Sequence, residues 1–346
     1  MMSYNNQKSI DDAIAAEVAA AVAPLNQRIT EQDALIKTQA DTILALSGDQ
    51  PVPPDPNPTP EPSDLRGWEL NETNTGLAGV GLTRADMQPY DGEWKPAAGT
   101  HIYRKLITLS SLNCMNGDIT LEECCIAPTE SSGSSSIIWG YDPEHPYDQR
   151  GPVTLINCDI DASAVTDPRI YKDCAFRGAA NIRGCNMWGM GTGIALFNNG
   201  VMAEVLVERN YIHDLRGGMV NGDQSHNESA TTRMALGSDH IWRDNRLISR
   251  TGSDSGSMFI QTIAGDINNL LIEGNELNSE GGYCMPLEAM NGHMYSNVRA
   301  VNNRFVRAVY GFAYVDGGPG WTEWSENYQL DAGQPDYKGE SVSSPG

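Results

Sequence analysis

The chain has 346 residues, with 45 acidic against 23 basic side chains and a formal net charge of −22. That length leaves room for one large domain or two smaller ones, and a surface this acidic repels phosphate backbones, so nucleic acid is excluded as the expected partner. Seven cysteines without a CxxC pair argue against a zinc knot, and their odd number in so long a chain argues against a disulfide scaffold. They read as buried thiols, and no cofactor or metal is expected.

The opening MMSYNNQKSIDD lacks the basic start and apolar core of a secretory signal. No run approaches the ~18 apolar residues of a membrane span, so no membrane insertion is expected. The protein is expected to stay in the cytoplasm or to leave by a route other than secretion, such as cell lysis.

Residues 1–47 are expected to form an N-terminal helical segment, with helix over 8–47. Ile10, Ile14, Val18 and Val22 recur at helical spacing, and Pro24 suits the first turn of a second helix. From Val22 the spacing is heptad: Val22, Ile29, Ile36 and Ile43 at one seam position, and Leu25, Gln32, Gln39 and Leu46 at the other. β-Branched residues at a with mixed Leu and Gln at d describe a coiled coil, the polar layers helping to fix register and strand number.

Residues 48–64 form a Pro-rich linker, with seven prolines in the sixteen positions of DQPVPPDPNPTPEPSD. Such a segment is extended polyproline II at about 3 Å per residue. A helix held away from its own domain cannot bury its apolar stripe there, so it needs copies of itself or a docking partner.

From Leu65 to residue 333 the chain is Gly/Asn-rich and repetitive. LEECCI (121–126), LINCDI (155–160), YKDCAF (171–176), IRGCNM (182–187), VERNYI (207–212), WRDNRL (242–247), IEGNEL (272–277) and AVNNRF (300–305) share one pattern. Each reads apolar, two mostly polar residues, Cys or Asn, one variable residue, apolar. The fourth position runs Cys124, Cys158, Cys174, Cys185, Asn210, Asn245, Asn275, Asn303, with WSENYQ (324–329) as a degraded ninth copy. Cys174 and Cys185 are too close for a full repeat and suggest two faces of one coil. Repeats of this length indicate a solenoid, and short strands with inward apolar residues around a bend fit an all-β parallel β-helix. Asn tolerates a left-handed bend and can bond along the stack, while Cys is a small apolar filler there. Residues 334–346 lack apolar periodicity and are expected to be a loose tail.

NTGLAGVGL (74–82), GDITLEECCI (117–126), VTLINCDID (153–161), IRGCNM and ERNYIHDL (208–215) together resemble a group of right-handed parallel β-helix proteins. These occur in actinobacteria and among the minor tail proteins of their phages. The resemblance covers most of residues 67–310. In that group YIHDL is often followed by an HND-type motif; here DQSHNES (223–229) matches at His226 and Asn227, with Glu228 in place of the aspartate. The resemblance implies an N-terminal segment attached to other tail-tip proteins and a β-helix facing host cell-surface polysaccharide. It also implies a homotrimeric assembly, made in the host cytoplasm and carried on the virion.

Within the expected solenoid, Val207, Asn210 and Ile212 read as packing residues and Tyr211 as outward-facing. His213, Asp214, Asp223 and His226 form the candidate polar cluster for sugar binding, against the plainer reading that they cap backbone groups at a strand end. Trp188 and Trp321 are candidate stacking platforms for sugar rings, whereas Trp242 and Trp324 occupy inward positions. No catalytic residue is assigned. Asp159, Asp161, Asp244, Glu273 and Glu276 come closest to the carboxylate pair a glycosidase needs, and read as solvated acids. YDPEHPYD (141–148) sets Asp142, Glu144, His145 and Asp148 in a proline-broken surface loop; it is similar to a motif of β-helix alginate epimerases with its last two residues in the other order. The functional expectation is host-glycan contact by a structural tail protein. The alternatives are a polysaccharide lyase or glycosidase, and a scaffold without ligand.

Overall fold

A computed structural model describes residues 65–345 except 134, 142–148 and 307. The heptad positions, the Pro-rich segment and most of YDPEHPYD lie outside the described residues.

The chain winds through three short strands per coil, and each strand pairs in parallel with its counterpart in the next coil. One such series runs from His101–Tyr103 through Ile119–Glu122, Val153–Ile156 and Glu204–Glu208 to Glu323–Ser325. The second includes Asp159–Asp161, Asn186–Trp188, Tyr211–His213 and Arg246–Ser249. The third includes Ser136–Trp139, Cys174–Gly178, Thr192–Asn198, Asn227–Ala235, Asp254–Gln261, Tyr283–Glu288 and Gly311–Asp316. Among the described residues antiparallel pairing is confined to a small hairpin, Met219–Val220 with Asp223–Gln224, and to the terminal strand Lys338–Ser341. The fold is therefore all-β and solenoid-like, stacked at ~4.8 Å per coil.

The repeated motif lies at the corner between the first two series. Its core positions are sealed: Leu121, Leu155, Ile182, Val207, Trp242 and Ile272 have no exposed surface. The bend is made by the residue before the Cys/Asn position, not by the Asn itself. Glu123, Asn157, Arg209, Asp244 and Asn302 take left-handed φ of 50–54°, and glycine takes that place at Gly184 and Gly274. Turning the chain one residue early points the next side chain along the stack. Asn245 Oδ1 accepts from the backbone N (3.1 Å) and Nδ2 (2.9 Å) of Asn210, and Asn245 Nδ2 donates to Val207 O (2.9 Å) and Asn275 Oδ1 (2.9 Å). The same unit recurs through Asn275 and Asn303 to Asn327, so the degraded ninth copy completes the ladder. At the other end Cys124 N lies 3.5 Å from Cys158 Sγ, and Cys158 N lies 3.4 Å from Cys185 Sγ. These thiols replace the amide as weak partners rather than acting only as filler. All seven cysteines are buried and free. Cys174 stands apart from the ladder, on the third face, as its short spacing suggested.

The N-terminal part of the described chain lies against the second series of strands. Gly67 N donates to Gly274 O (3.1 Å), Gly76 N to Gly184 O (2.7 Å) and Leu77 N to Asp159 Oδ1 (3.1 Å). Glycine is required at both close approaches: a Cβ on Gly67 would sit 2.3 Å from Asn245 O, and one on Gly76, at φ +58°, 1.9 Å from Asp159 Oδ1. This covering corrects two expectations. Tyr211 does face out of the coil, but it is buried, with Arg246 over its ring at 5.3 Å and Arg246 in turn donating to Leu70 O. Three of the five acids read as solvated are engaged beneath it: Asp159 holds Leu77, Asp244 pairs with Arg66 (3.2 Å), and Glu276 is buried against Arg246 (2.8 Å), while Asp161 and Glu273 stay partly exposed beside Arg84 (3.9 Å) and Arg243 (3.1 Å).

The loose tail is also corrected. Lys338–Ser341 pairs with Tyr328–Leu330, Val342 is buried, and its carbonyl accepts from Trp324 Nε1 (2.8 Å). This strand covers the last rung, whose apolar side chains would otherwise end in water.

Candidate functional site

On the third face, outward side chains stand in rows along the stack. One row reads Trp139, Arg177, Ala195, Thr231, Phe259 by strand register. Bulk falls at Ala195 and Thr231 and rises again at Phe259, and the dip is a groove of about 590 Å³. That lies within the ~300–1,000 Å³ typical of ligand sites. Thr192, Ala195 and Thr231 form its floor; Phe197, stacked on Tyr141 at 4.2 Å, stands beside it, as do Asp223 and Gln224 of the small hairpin.

Two bulges shape the polar lining. Leu196 pairs with Thr232 and Phe197 with Met234, which leaves Arg233 as an extra residue on its strand. A second shift sets Asn227 opposite Asp254 and Glu228 opposite Gly256. Bulges re-aim side chains, and Arg233 and Glu228 both line the groove, their Nη2 and Oε1 atoms 3.5 Å apart. The Arg233 guanidinium lies over the Phe259 ring at 4.8 Å and donates to Gln261, which donates to Glu288 (2.5 Å). Tyr314 donates to the other Glu288 oxygen.

Glu228 is 4% exposed, and burial pushes its carboxyl above the usual range, opposed by the charge of Arg233. Burial in the same way lowers Arg233, opposed by Glu228. Lys172 Nζ stands 4.0 Å from Asp223 Oδ2, and His226 Nδ1 3.3 Å from Ser255 Oγ. Arg177 differs from the other cations. Its Nη2 reaches only Cys174 Sγ (3.5 Å), and its buried Nε has no partner among the described residues. A buried donor without a partner costs about 1–3 kcal/mol.

The sequence-predicted cluster is divided. Asp223 and His226 line this groove. His213 and Asp214 belong to the second series of strands, where His213 Nδ1 lies 2.8 Å from Asp214 Oδ2 and Nε2 lies 3.0 Å from Asn186 Oδ1. The imidazole is stacked with Tyr211 (4.1 Å) and with Trp188 (5.8 Å). Both ring nitrogens are occupied and the ring packs against two aromatics, which is a capping and packing role. Trp188 is half-buried in that stack rather than a free platform. Trp321 is half-buried too, packed edge-on to Trp324 at 5.1 Å, with a buried Nε1 that finds no partner among the described residues.

Sequence reasoning missed Lys172, Cys174, Arg177 and Arg233, and met Glu228 only as a departure from a motif. That departure was the available signal, since it put a longer acid beside His226. No protein-family model matches the chain, and no curated protein or solved structure is significantly similar to it.

Proposed function

We propose that this protein is a host-facing component of a phage tail, a right-handed parallel β-helix that binds cell-surface polysaccharide in the groove over Ala195 and Thr231. The observation that carries the reading is the groove itself: small side chains in register on adjacent coils, walled by Phe197 and by the charged side chains of Arg177, Glu228 and Arg233. An aromatic wall with a few fixed polar groups is the usual chemistry of a sugar site. The coils repeat at ~4.8 Å, a spacing close to that of successive sugar units in an extended glycan. The test is retention of the full chain on envelope polysaccharide from actinobacteria. Ala195→Leu, which fills the groove floor, is expected to abolish retention. Retention unchanged by this substitution would remove the groove from the account.

Self-assembly as a homotrimer through Val22 to Leu46 belongs to the same proposal. It is supported by the heptad and by Leu236, Ile263 and Met290, which recur 27 residues apart and are each about 40% exposed. Light scattering is expected to give three times the chain mass, falling when the chain starts at Asp64; a monomeric full chain would refute it.

One observation favours a second reading, polysaccharide hydrolysis. Glu228 is a buried carboxyl held toward its protonated form inside the groove, the property of a general acid. Release of reducing ends from envelope polysaccharide, lost in Glu228→Gln, would establish it; binding without release favours the first reading.

A further inference from the structure

Among the described residues the groove carries three cations, Lys172, Arg177 and Arg233, against two carboxylates, Asp223 and Glu228, in a chain whose formal charge is −22. Its ion pairs are unequal. Lys172 faces Asp223 at 4.0 Å, and Arg233 faces Glu228 at 3.5 Å. Arg177 is left over: its Nε is buried and unpartnered, and among the described residues its guanidinium reaches only a thiol, Cys174 Sγ. Several other arginines of the stack are closed by an acid of the chain itself. Arg183, Arg243, Arg246 and Arg250 each meet a glutamate on a neighbouring coil. At Arg177 the corresponding place on the next coil is Ala195, and on the one after it Thr231, so neither of those coils sets an acid opposite it.

We infer that the ligand supplies that missing acid: the groove selects polysaccharides bearing carboxylates, as uronic acids do, and Arg177 anchors the carboxylate. This rests on the glycan-binding reading above and names its substrate class. A guanidinium presents a planar fork that matches a carboxylate in two parallel hydrogen bonds, which a hydroxyl cannot reproduce. The negative charge of the chain repels polyanions at long range, so recognition has to come from short-range pairing, and the cation-rich groove is where it can occur. Asp223 at the rim and buried Glu228 are each already faced by a cation, which limits their repulsion of an incoming carboxylate.

The test uses the full chain and a panel of polyuronates (polygalacturonate, alginate, hyaluronate), each paired with its carboxyl-reduced, neutral form. At least one polyuronate is expected to bind about tenfold or more tightly than its neutral partner. Arg177→Gln is expected to lower that affinity to the neutral level, and Arg177→Lys, which keeps the charge but loses the fork, to fall between. An unchanged unfolding midpoint in Arg177→Lys shows that its loss is one of recognition. Neutral forms that bind as well as the acids, with Arg177→Gln without effect, would overturn the inference and leave glycan binding standing. No binding by any member in either form would remove the glycan reading, and this inference with it.

Discussion

The Cys/Asn corner and the groove face belong to the same coils, yet they treat polar groups in opposite ways. At the corner every amide is spent within the stack: Asn210, Asn245, Asn275 and Asn303 each bond to the coils on either side. On the groove face the side chains shrink to Ala195 and Thr231, two bulges turn Glu228 and Arg233 outward, and Arg177 is left with an open donor. A closed polar ladder stabilises; an open one is available to a ligand. The His213 stack, which looked functional in sequence, belongs with the closed kind.

The largest expected effect is at the corner. Asn245→Ala removes one amide that serves four bonds and takes the side-chain partner from the buried Asn210 backbone N–H and from the Val207 carbonyl, a loss of about 3–5 kcal/mol from several deficits of 1–3 kcal/mol each. Asn245→Cys should lose less, because Cys158 and Cys185 already fill that place in other coils. Denaturant unfolding measures both; equal losses would mean that the thiols contribute only volume.

A smaller effect is expected from pH. His240 is fully buried, accepts from Asn198 Nδ2 at 2.9 Å and donates toward Asn268 O at 3.2 Å, and burial lowers its pKa to about 4. A depressed histidine binds its proton more readily when unfolded, so its contribution is complete above pH ~6.5 and is lost as pH falls toward 4. Asp159 acts in the opposite sense: burial raises it to about 6, so its contribution is present below pH ~4 and is lost as pH rises through 6. Asp159→Asn keeps an acceptor for Leu77 N and removes the second slope. Its unfolding free energy should therefore fall more steeply below pH 6 than that of the natural chain. Parallel pH profiles would show that Asp159 is not the group responsible.

How much could be read beforehand follows from the same contrast. The corner repeats one residue type at one place per coil, so a single sequence displays it, down to the ninth copy ending at Asn327. The sequence pattern places the bend one residue late, because Asn and its predecessor are equally good candidates for a left-handed turn and only the stack distinguishes them. The groove has no repeat. It depends on Ala195 facing Thr231 across 36 positions and on a bulge at Arg233, and neither is visible without strand register. The burial of Tyr211 required knowing that residues 66–77 return over that sheet, and the terminal strand needed a partner some ten residues away to be recognised at all.

The most direct test of the account is hydrogen exchange of the full chain with and without the polysaccharide it retains best. Protection confined to residues 174–177, 192–197 and 226–233 is the predicted result. Protection at 186–188 and 211–214 instead, with the groove strands unchanged, would contradict it and return the binding role to the His213 and Trp188 stack.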